Sequence, residues 1–148
     1  MKIGIASDHR GYVLKKEIIK ELENEYEIID FGTDSEERVD YPDYAFKLGK
    51  AIQNKDIDLG IAICGTGIGI SIALNKVKGV LCAKISNKEE AKLAKEHNHA
   101  NAIAFSGSTK IEEAKEMILT FLNSKPNNEQ AHLNRINKIL KYEEENEL

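Results

Sequence analysis

Residues 57–71 of the chain read IDLGIAICGTGIGIS, and this stretch decides the fold. Residues 57–63 are apolar and rich in isoleucine, which predicts a short strand buried on both faces of a sheet. Residues 70–75 have the composition of the first turns of a buried helix. Three glycines at alternate positions join the two elements, and they permit a sharp turn that presents backbone N–H groups at the start of the helix. We therefore expect an anion-binding loop with the thiol of Cys64 at its edge.

The spacing within this loop excludes familiar nucleotide and phosphate motifs. A dinucleotide-binding fingerprint would need a glycine three positions after Gly67, where Ile70 stands, and an acidic residue about 20 positions further on. A phosphate-binding P-loop would end in Gly-Lys-Ser or Gly-Lys-Thr, which is absent. A receiver domain would carry an aspartate in place of Cys64. The simplest alternative is a glycine-rich turn beside a small buried cysteine without chemistry of its own.

Length and composition are typical of one cytoplasmic domain spanning residues 1–148. The net charge of −4, with lysines and glutamates spread along the chain, argues against nucleic acid or a membrane surface as a partner. The two cysteines, Cys64 and Cys82, form no C-x-x-C pair, which favours a reducing compartment over a disulfide scaffold. No signal peptide or membrane-spanning stretch is predicted.

Apolar strand patterns alternate with helical patterns along the chain. The predicted strands are residues 3–6, 26–31, 57–63, 80–85 and 102–105, and later helices are predicted at 88–96 and 111–122. Strict alternation, with strands too apolar to have one solvated face, predicts an α/β fold. We expect a three-layer α/β/α, Rossmann-like architecture around a five-stranded parallel sheet, with the order of the strands left open.

The last segment of the chain differs from this pattern. After a break at residues 126–128, residues 129–147 form a predicted helix with a narrow apolar stripe at Leu133, Ile136 and Leu140. Its acidic C-terminal end opposes the helix dipole, so the helix should fray unless another surface receives it. We expect this protruding helix to pack on a second subunit of a homodimer. The alternative is a helix folded back on its own domain.

Several polar residues follow predicted strands and are candidates for one shared site. In an open parallel sheet, ligands bind beyond the carboxyl ends of the strands, so residues distant in sequence can converge there. Each candidate also has a purely structural interpretation as a helix cap, a surface histidine or a loop anchor. The candidates are Asp8 and His9 after the first strand, Tyr41 in the next loop, Cys64, and His97 with Asn98 before the fifth strand.

The motifs SDH at 7–9, VDYP at 39–42, ICGTGIGIS at 63–71 and EHN at 96–98 resemble those of the ribose-5-phosphate isomerase B family. Galactose-6-phosphate and allose-6-phosphate isomerases are related members. The resemblance runs in register from Lys2 to about Lys141. It implies an aldose-ketose isomerase that interconverts ribose 5-phosphate and ribulose 5-phosphate through a cis-enediolate, as a homodimer or a tetramer.

This chemistry needs a base beside a carbonyl and donors that hold an enediolate oxygen. A thiol at a helix N-terminus has more thiolate character, and the family likewise uses the cysteine matching Cys64 as its base. Thr66 and Ser71 are nearby hydroxyls that can orient groups or relay protons. The predicted enediolate donors are the backbone N–H groups of the loop from Gly65 to Gly69, which are those of Gly65, Thr66, Gly67, Ile68 and Gly69.

The resemblance also implies roles for residues outside the loop. His97 is expected to open the closed sugar ring as a general acid/base. Asp8 and Asn98 would hold sugar hydroxyls, and His9 would lie near the phosphate. On the C-terminal helix, His132 and Arg135 lie at i and i+3 and are expected to reach the partner's site. The resemblance implies no cofactor. The four histidines show no H-x-x-x-H spacing, so we expect no metal site.

Two positions depart from the family pattern. Ala131 and Ser108 stand where the family has arginines that bind phosphate. Neither alanine nor serine can donate the two parallel hydrogen bonds with which a guanidinium binds phosphate. A six-carbon sugar phosphate or an unphosphorylated sugar therefore remains an alternative substrate for the isomerase. Outside the isomerases, the alternatives are a non-catalytic sugar-phosphate-binding module and a thiol redox role.

Overall fold

The computed structural model describes residues 1–146 and alternates strands with helices as predicted. The predicted C-terminal helix ends at residue 147, which lies outside the described residues. The strands are β1 (Lys2–Ser7), β2 (Glu27–Asp30), β3 (Leu59–Cys64), β4 (Cys82–Lys84) and β5 (Ala102–Ser106). The helices are α1 (Tyr12–Leu22), α2 (Tyr41–Gln53), α3 (Ile68–Leu74), α4 (Lys88–Glu96), α5 (Ile111–Asn123) and α6 (Gln130–Glu145).

All five strands are parallel, in the order β2-β1-β3-β5-β4. The three-layer α/β/α architecture is confirmed. β3 lies at the centre of the sheet, where Ile5 pairs with Ile61 on one side and Ile61 pairs with Ile103 on the other. The carboxyl ends of β1, β3 and β5 therefore lie side by side, with Ser7 opposite Ile63 and Cys64 opposite Ser106.

Alternation along the strands divides the core into two layers. The isoleucines of β1 and β3 face one layer with α1 and α5, where Phe105 and Phe121 are completely buried. Small residues such as Ala6 and Ala62 face the other layer, which contains α2 and α3. Cys64 belongs to this second layer. Its side chain is thus directed to the face on which α3 begins.

The edge strand β4 is shorter than predicted, and side chains provide hydrogen bonds at its start and along its open edge. The amide of Asn75 both donates to the Cys82 carbonyl at 2.9 Å and accepts from the Cys82 N–H at 2.8 Å. Asn101 accepts from the N–H of Leu81 at 2.8 Å. Val80 is buried, but it precedes the strand ladder. Apolar composition therefore overestimated the length of β4.

The C-terminal helix α6 directs its stripe toward its own domain. Ile136 is buried, whereas Leu133 and Leu140 are half-buried. Further along the helix, Glu143 accepts a hydrogen bond from the N–H of Gly79 at 2.9 Å. Ile139 on this helix stays exposed. The packing of this helix on a second subunit stays a prediction. No helix within residues 1–146 is long and apolar enough to cross a membrane.

Candidate active site

Cys64 ends the central strand and is almost completely buried, with 4% of its surface exposed. Its Sγ accepts a hydrogen bond from the backbone N–H of Gly67 at 3.2 Å. Helix α3 begins one residue later, at Ile68. The sulfur therefore lies in the turn between the strand and the helix, within hydrogen-bond distance of a backbone donor.

Gly67 is required by the shape of this turn. Its φ of +82° lies in the left-handed region, which residues with a side chain rarely adopt. A Cβ added there would lie 2.7 Å from the backbone of Phe105. The glycine therefore allows the loop to lie directly on β5 and fixes the N–H that supports Cys64.

The loop provides unused donors, but not all of those predicted. The N–H of Gly67 is directed at Cys64, and the N–H of Ile68 donates to Thr66 Oγ1 at 3.1 Å. These two N–H groups are engaged within the loop, and their predicted contact with substrate stays a prediction. Among the described residues, the N–H groups of Gly65, Thr66 and Gly69 have no hydrogen-bond partner. These three form the available anion-binding set.

Asp8 and His9 lie at the same edge of the sheet, directly after β1. Asp8 Oδ1 accepts the N–H groups of Arg10 at 2.9 Å and Gly11 at 3.2 Å, so one carboxylate oxygen holds the turn. His9 Nδ1 accepts the N–H of Val39 at 3.2 Å, which leaves its Nε2 as a donor. Both residues line a cavity of about 420 Å³. This cavity can accept a polar ligand beside the glycine loop.

Tyr41 also reaches the loop, while Ser71 lies on helix α3. Tyr41 was expected in a loop, but it is the first residue of α2. Its ring covers Gly69 so closely that a Cβ at that position would lie 2.5 Å from the ring. Ser71 is buried on α3, near the thiol of Cys82. Its role at the loop stays a prediction.

The expectation that His97 and Asn98 share an edge with Cys64 within one chain is wrong. His97 is the C-terminal cap of α4, and this helix returns the chain to the amino end of β5. At the other end of the sheet, Cys64 pairs with the last residue of β5, Ser106. Five residues of strand correspond to roughly 16 Å. His97 and Asn98, both exposed, thus lie at the opposite edge of the sheet.

His132 lies beside His97 at this amino edge. Their rings stack with centroids 4.6 Å apart and planes inclined by 14°. Arg135, one turn further along α6, is exposed. The sheet therefore has two separate groups of candidate residues, one around Cys64 and one around His97. Within residues 1–146, no cluster of three or more histidine, cysteine or carboxylate side chains could hold a metal ion.

Comparison with known proteins identifies the family. Residues 3–139 match the model of the ribose/galactose isomerases. The chain belongs to this family. Ribose-5-phosphate isomerase B of Escherichia coli is 44% identical over 119 residues, which are 80% of each chain.

Solved structures of the ribose/galactose isomerase family extend this similarity to the fold. Ribose-5-phosphate isomerase B of Clostridium thermocellum has a TM-score of 0.94 and 44% identity, covering 98% of this chain and 99% of its own. The Mycoplasma genitalium ribose-5-phosphate isomerase B with bound ribulose-5-phosphate has a TM-score of 0.90 and 40% identity, covering 97% of each chain. The similarity thus includes both edges of the sheet and α6.

Within this isomerase family, the chain supports its glycine loop with serines. Ser106 Oγ donates to the carbonyl of Gly65 at 2.7 Å, and it lies 2.7 Å from the hydroxyl of Ser108. Ser108 therefore stabilises the loop and carries no charge for a phosphate. Ala131, the other position expected to depart from the family pattern, lies exposed at the start of α6.

A cation that the sequence reasoning missed lies beside the loop. The guanidinium of Arg10 packs against Gly65, since a Cβ added to Gly65 would lie 2.8 Å from Arg10 Nη1. A lone arginine in a polar turn has no periodicity or spacing that distinguishes it from a solvated surface residue. Only the folded loop shows that it lies next to the residue that follows Cys64.

Proposed function

We propose that this chain interconverts ribose 5-phosphate and ribulose 5-phosphate. The observation that supports this proposal most directly is the Cys64 thiol at the end of the central strand, beside three loop N–H groups without partners. Relatives with 40–44% identity carry the name ribose-5-phosphate isomerase B. Both cysteines are free thiols, which is typical of a reducing compartment, and we place the enzyme in the cytoplasm.

The reaction moves one proton between neighbouring carbons. The Cys64 thiolate removes the proton from C2 of the open-chain aldose, and the electron pair forms the C1–C2 double bond of an enediolate. The N–H groups of Gly65, Thr66 and Gly69 hold the oxygen on which negative charge develops. Transfer of the hydroxyl proton from O2 to O1 and return of the carbon-bound proton to C1 give the ketose, so atoms and electrons balance without a cofactor.

Opening the sugar ring needs a general acid/base, for which His97 is the candidate. This residue cannot serve the Cys64 of its own chain, because the two lie at opposite edges of the sheet. A second copy related by a two-fold axis can bring its amino edge to the carboxyl edge of the first, and the same contact then forms twice. We therefore propose a homodimer whose two sites each combine Cys64 of one subunit with His97 of the other.

Exposed apolar side chains offer a surface for this contact. Ile68 and Ile72 on α3 are 54% and 59% exposed. Ile139 lines a cavity of about 780 Å³ between α6 and the domain. Removing these apolar side chains from water is favourable, and this gain would offset the translational and rotational freedom that two subunits lose when they associate. His132 and Arg135 would accompany His97 to the partner's site, since they lie at the same edge.

The proposal is tested by following ketose formation from ribose 5-phosphate. Cys64→Ala is expected to remove nearly all turnover while substrate still binds, because the anion donors belong to the backbone. Cys82→Ala is the matched control, and it should retain activity because Cys82 lies at the edge strand β4. Full activity of Cys64→Ala would contradict the cysteine as the base.

The identity of the sugar is tested with a panel of substrates. We expect ribose 5-phosphate to give a higher kcat/KM than allose 6-phosphate, galactose 6-phosphate or free ribose. A higher kcat/KM for one of the other sugars would refute ribose 5-phosphate as the preferred substrate, while the isomerase reaction itself would still be supported. Sugar-phosphate binding without any turnover would instead support the non-catalytic module.

A further inference from the structure

Arg10 occupies a position at the candidate active site that the reaction described above does not use. It follows His9 in the turn after β1, and its guanidinium packs against Gly65 in the glycine loop. Its backbone carbonyl lies against Gly107, so the residue bridges the turns that follow β1, β3 and β5. This places a permanent positive charge next to the N–H donors beside Cys64.

The charge of Arg10 is not neutralised by the protein. Among the described residues, no carboxylate forms a salt bridge with its guanidinium, and its side chain is exposed. Asp8 accepts the backbone N–H of Arg10, which fixes the start of the side chain without engaging its charge. The free Nε2 of His9 comes from the preceding residue. The turn therefore presents two donors suited to an anion.

We propose that Arg10 binds the phosphate group of the substrate from the same subunit as Cys64, an inference that rests on the proposed isomerase function. The loop N–H groups already provide for the enediolate, whereas a phosphate three carbons beyond C2 needs its own partner. A guanidinium donates two parallel hydrogen bonds to phosphate, which an ammonium or hydroxyl cannot reproduce. Arg10 thus supplies a cation at an edge where Ser108 supplies none.

Steady-state kinetics with ribose 5-phosphate test this role. Arg10→Ala is expected to raise KM about 10- to 100-fold, the effect of losing hydrogen bonds to a charged group, with kcat within about twofold of the parent. Arg10→Lys should give an intermediate KM because it retains charge but loses the fork. Lys84→Ala removes one charge at the same edge and should leave both constants unchanged. Equal melting temperatures would show that the fold is intact.

Binding of inorganic phosphate, measured by calorimetry, provides a second readout that does not require turnover. The dissociation constant is expected to rise in Arg10→Ala in parallel with KM. An unchanged phosphate affinity would overturn the proposal, as would a fall in kcat at constant KM, which would place Arg10 at the reacting carbons. If the parent enzyme converted no sugar phosphate, the isomerase proposal would fail, and the phosphate titration would still decide the role of Arg10.

Discussion

Replacing Gly67 by alanine tests whether the shape of the loop is needed for chemistry. A residue with a side chain in the left-handed region costs roughly 1–2 kcal/mol. The added Cβ would also lie 2.7 Å from the Phe105 backbone, and such overpacking typically costs about 1–3 kcal/mol. Gly67→Ala should therefore lower the free energy of unfolding by roughly 2–5 kcal/mol.

Gly79 offers a matched control with nearly the same backbone strain. Its φ is +87°, and a Cβ there would meet nothing within 4 Å. Gly79→Ala should cost only the first contribution, roughly 1–2 kcal/mol, with full activity. A protein of this size loses about 2–4 °C of Tm per kcal/mol, so thermal unfolding at one protein concentration separates the two variants.

Activity should separate the two glycine variants further. Displacing the loop in Gly67→Ala moves the N–H that donates to Cys64 Sγ, and loss of a hydrogen bond to a charged group should lower kcat roughly 10- to 100-fold. Equal stability and equal kcat for Gly67→Ala and Gly79→Ala would refute the assigned role of the loop geometry.

Three further outcomes follow from buried groups. Burial raises the pKa of the Cys82 thiol to about 12, and a hydrogen bond to Ser71 opposes this effect in part. Because iodoacetamide reacts with the thiolate, it should label Cys64 before Cys82 at pH 8, and equal labelling rates would contradict this. Burial lowers the pKa of Lys95 below its ordinary value of 10.5, so the unfolded state binds this proton more tightly than the folded state. The free energy of unfolding should therefore rise with pH between the lowered pKa and 10.5. Urea unfolding of Lys95→Met should show a smaller rise, and an equal rise would exclude Lys95 as the cause. Asp30→Asn leaves the fully buried Lys15 without its anionic partner and should cost about 3–5 kcal/mol by urea unfolding, whereas an unchanged midpoint would show that the pair contributes nothing.

The architecture could be predicted because the apolar strands and the helices alternate strictly. The predicted helix at residues 88–96 coincides with α4, since an asparagine cap at Asn87 precedes it. Strand ends were less certain. At the start of β4 the Leu81 N–H donates to the side chain of Asn101, and side-chain partners of this kind leave no periodic pattern.

The position of Cys64 in a tight loop at the carboxyl edge of the sheet could be predicted, whereas the position of His97 could not. Glycine spacing correctly predicted a tight strand-to-helix loop with free donors. His97 was assigned to the wrong edge because a residue before a strand lies at its amino end, after the preceding helix has crossed the sheet. Arg10 was missed because only packing against Gly65 distinguishes it from a surface residue.

Mixing two inactive variants tests most directly whether the site forms between subunits. Chains carrying Cys64→Ala and His97→Asn, dissociated and reassembled together in equal amounts, should form mixed dimers in half of the population. Each mixed dimer has one site with both native residues, so activity should recover to about 25% of the parent. If each site were built within a single chain, each of the two sites in a mixed dimer would contain one substituted residue, and neither site would be native. Activity that stays at the level of the separate variants would therefore contradict an intersubunit site.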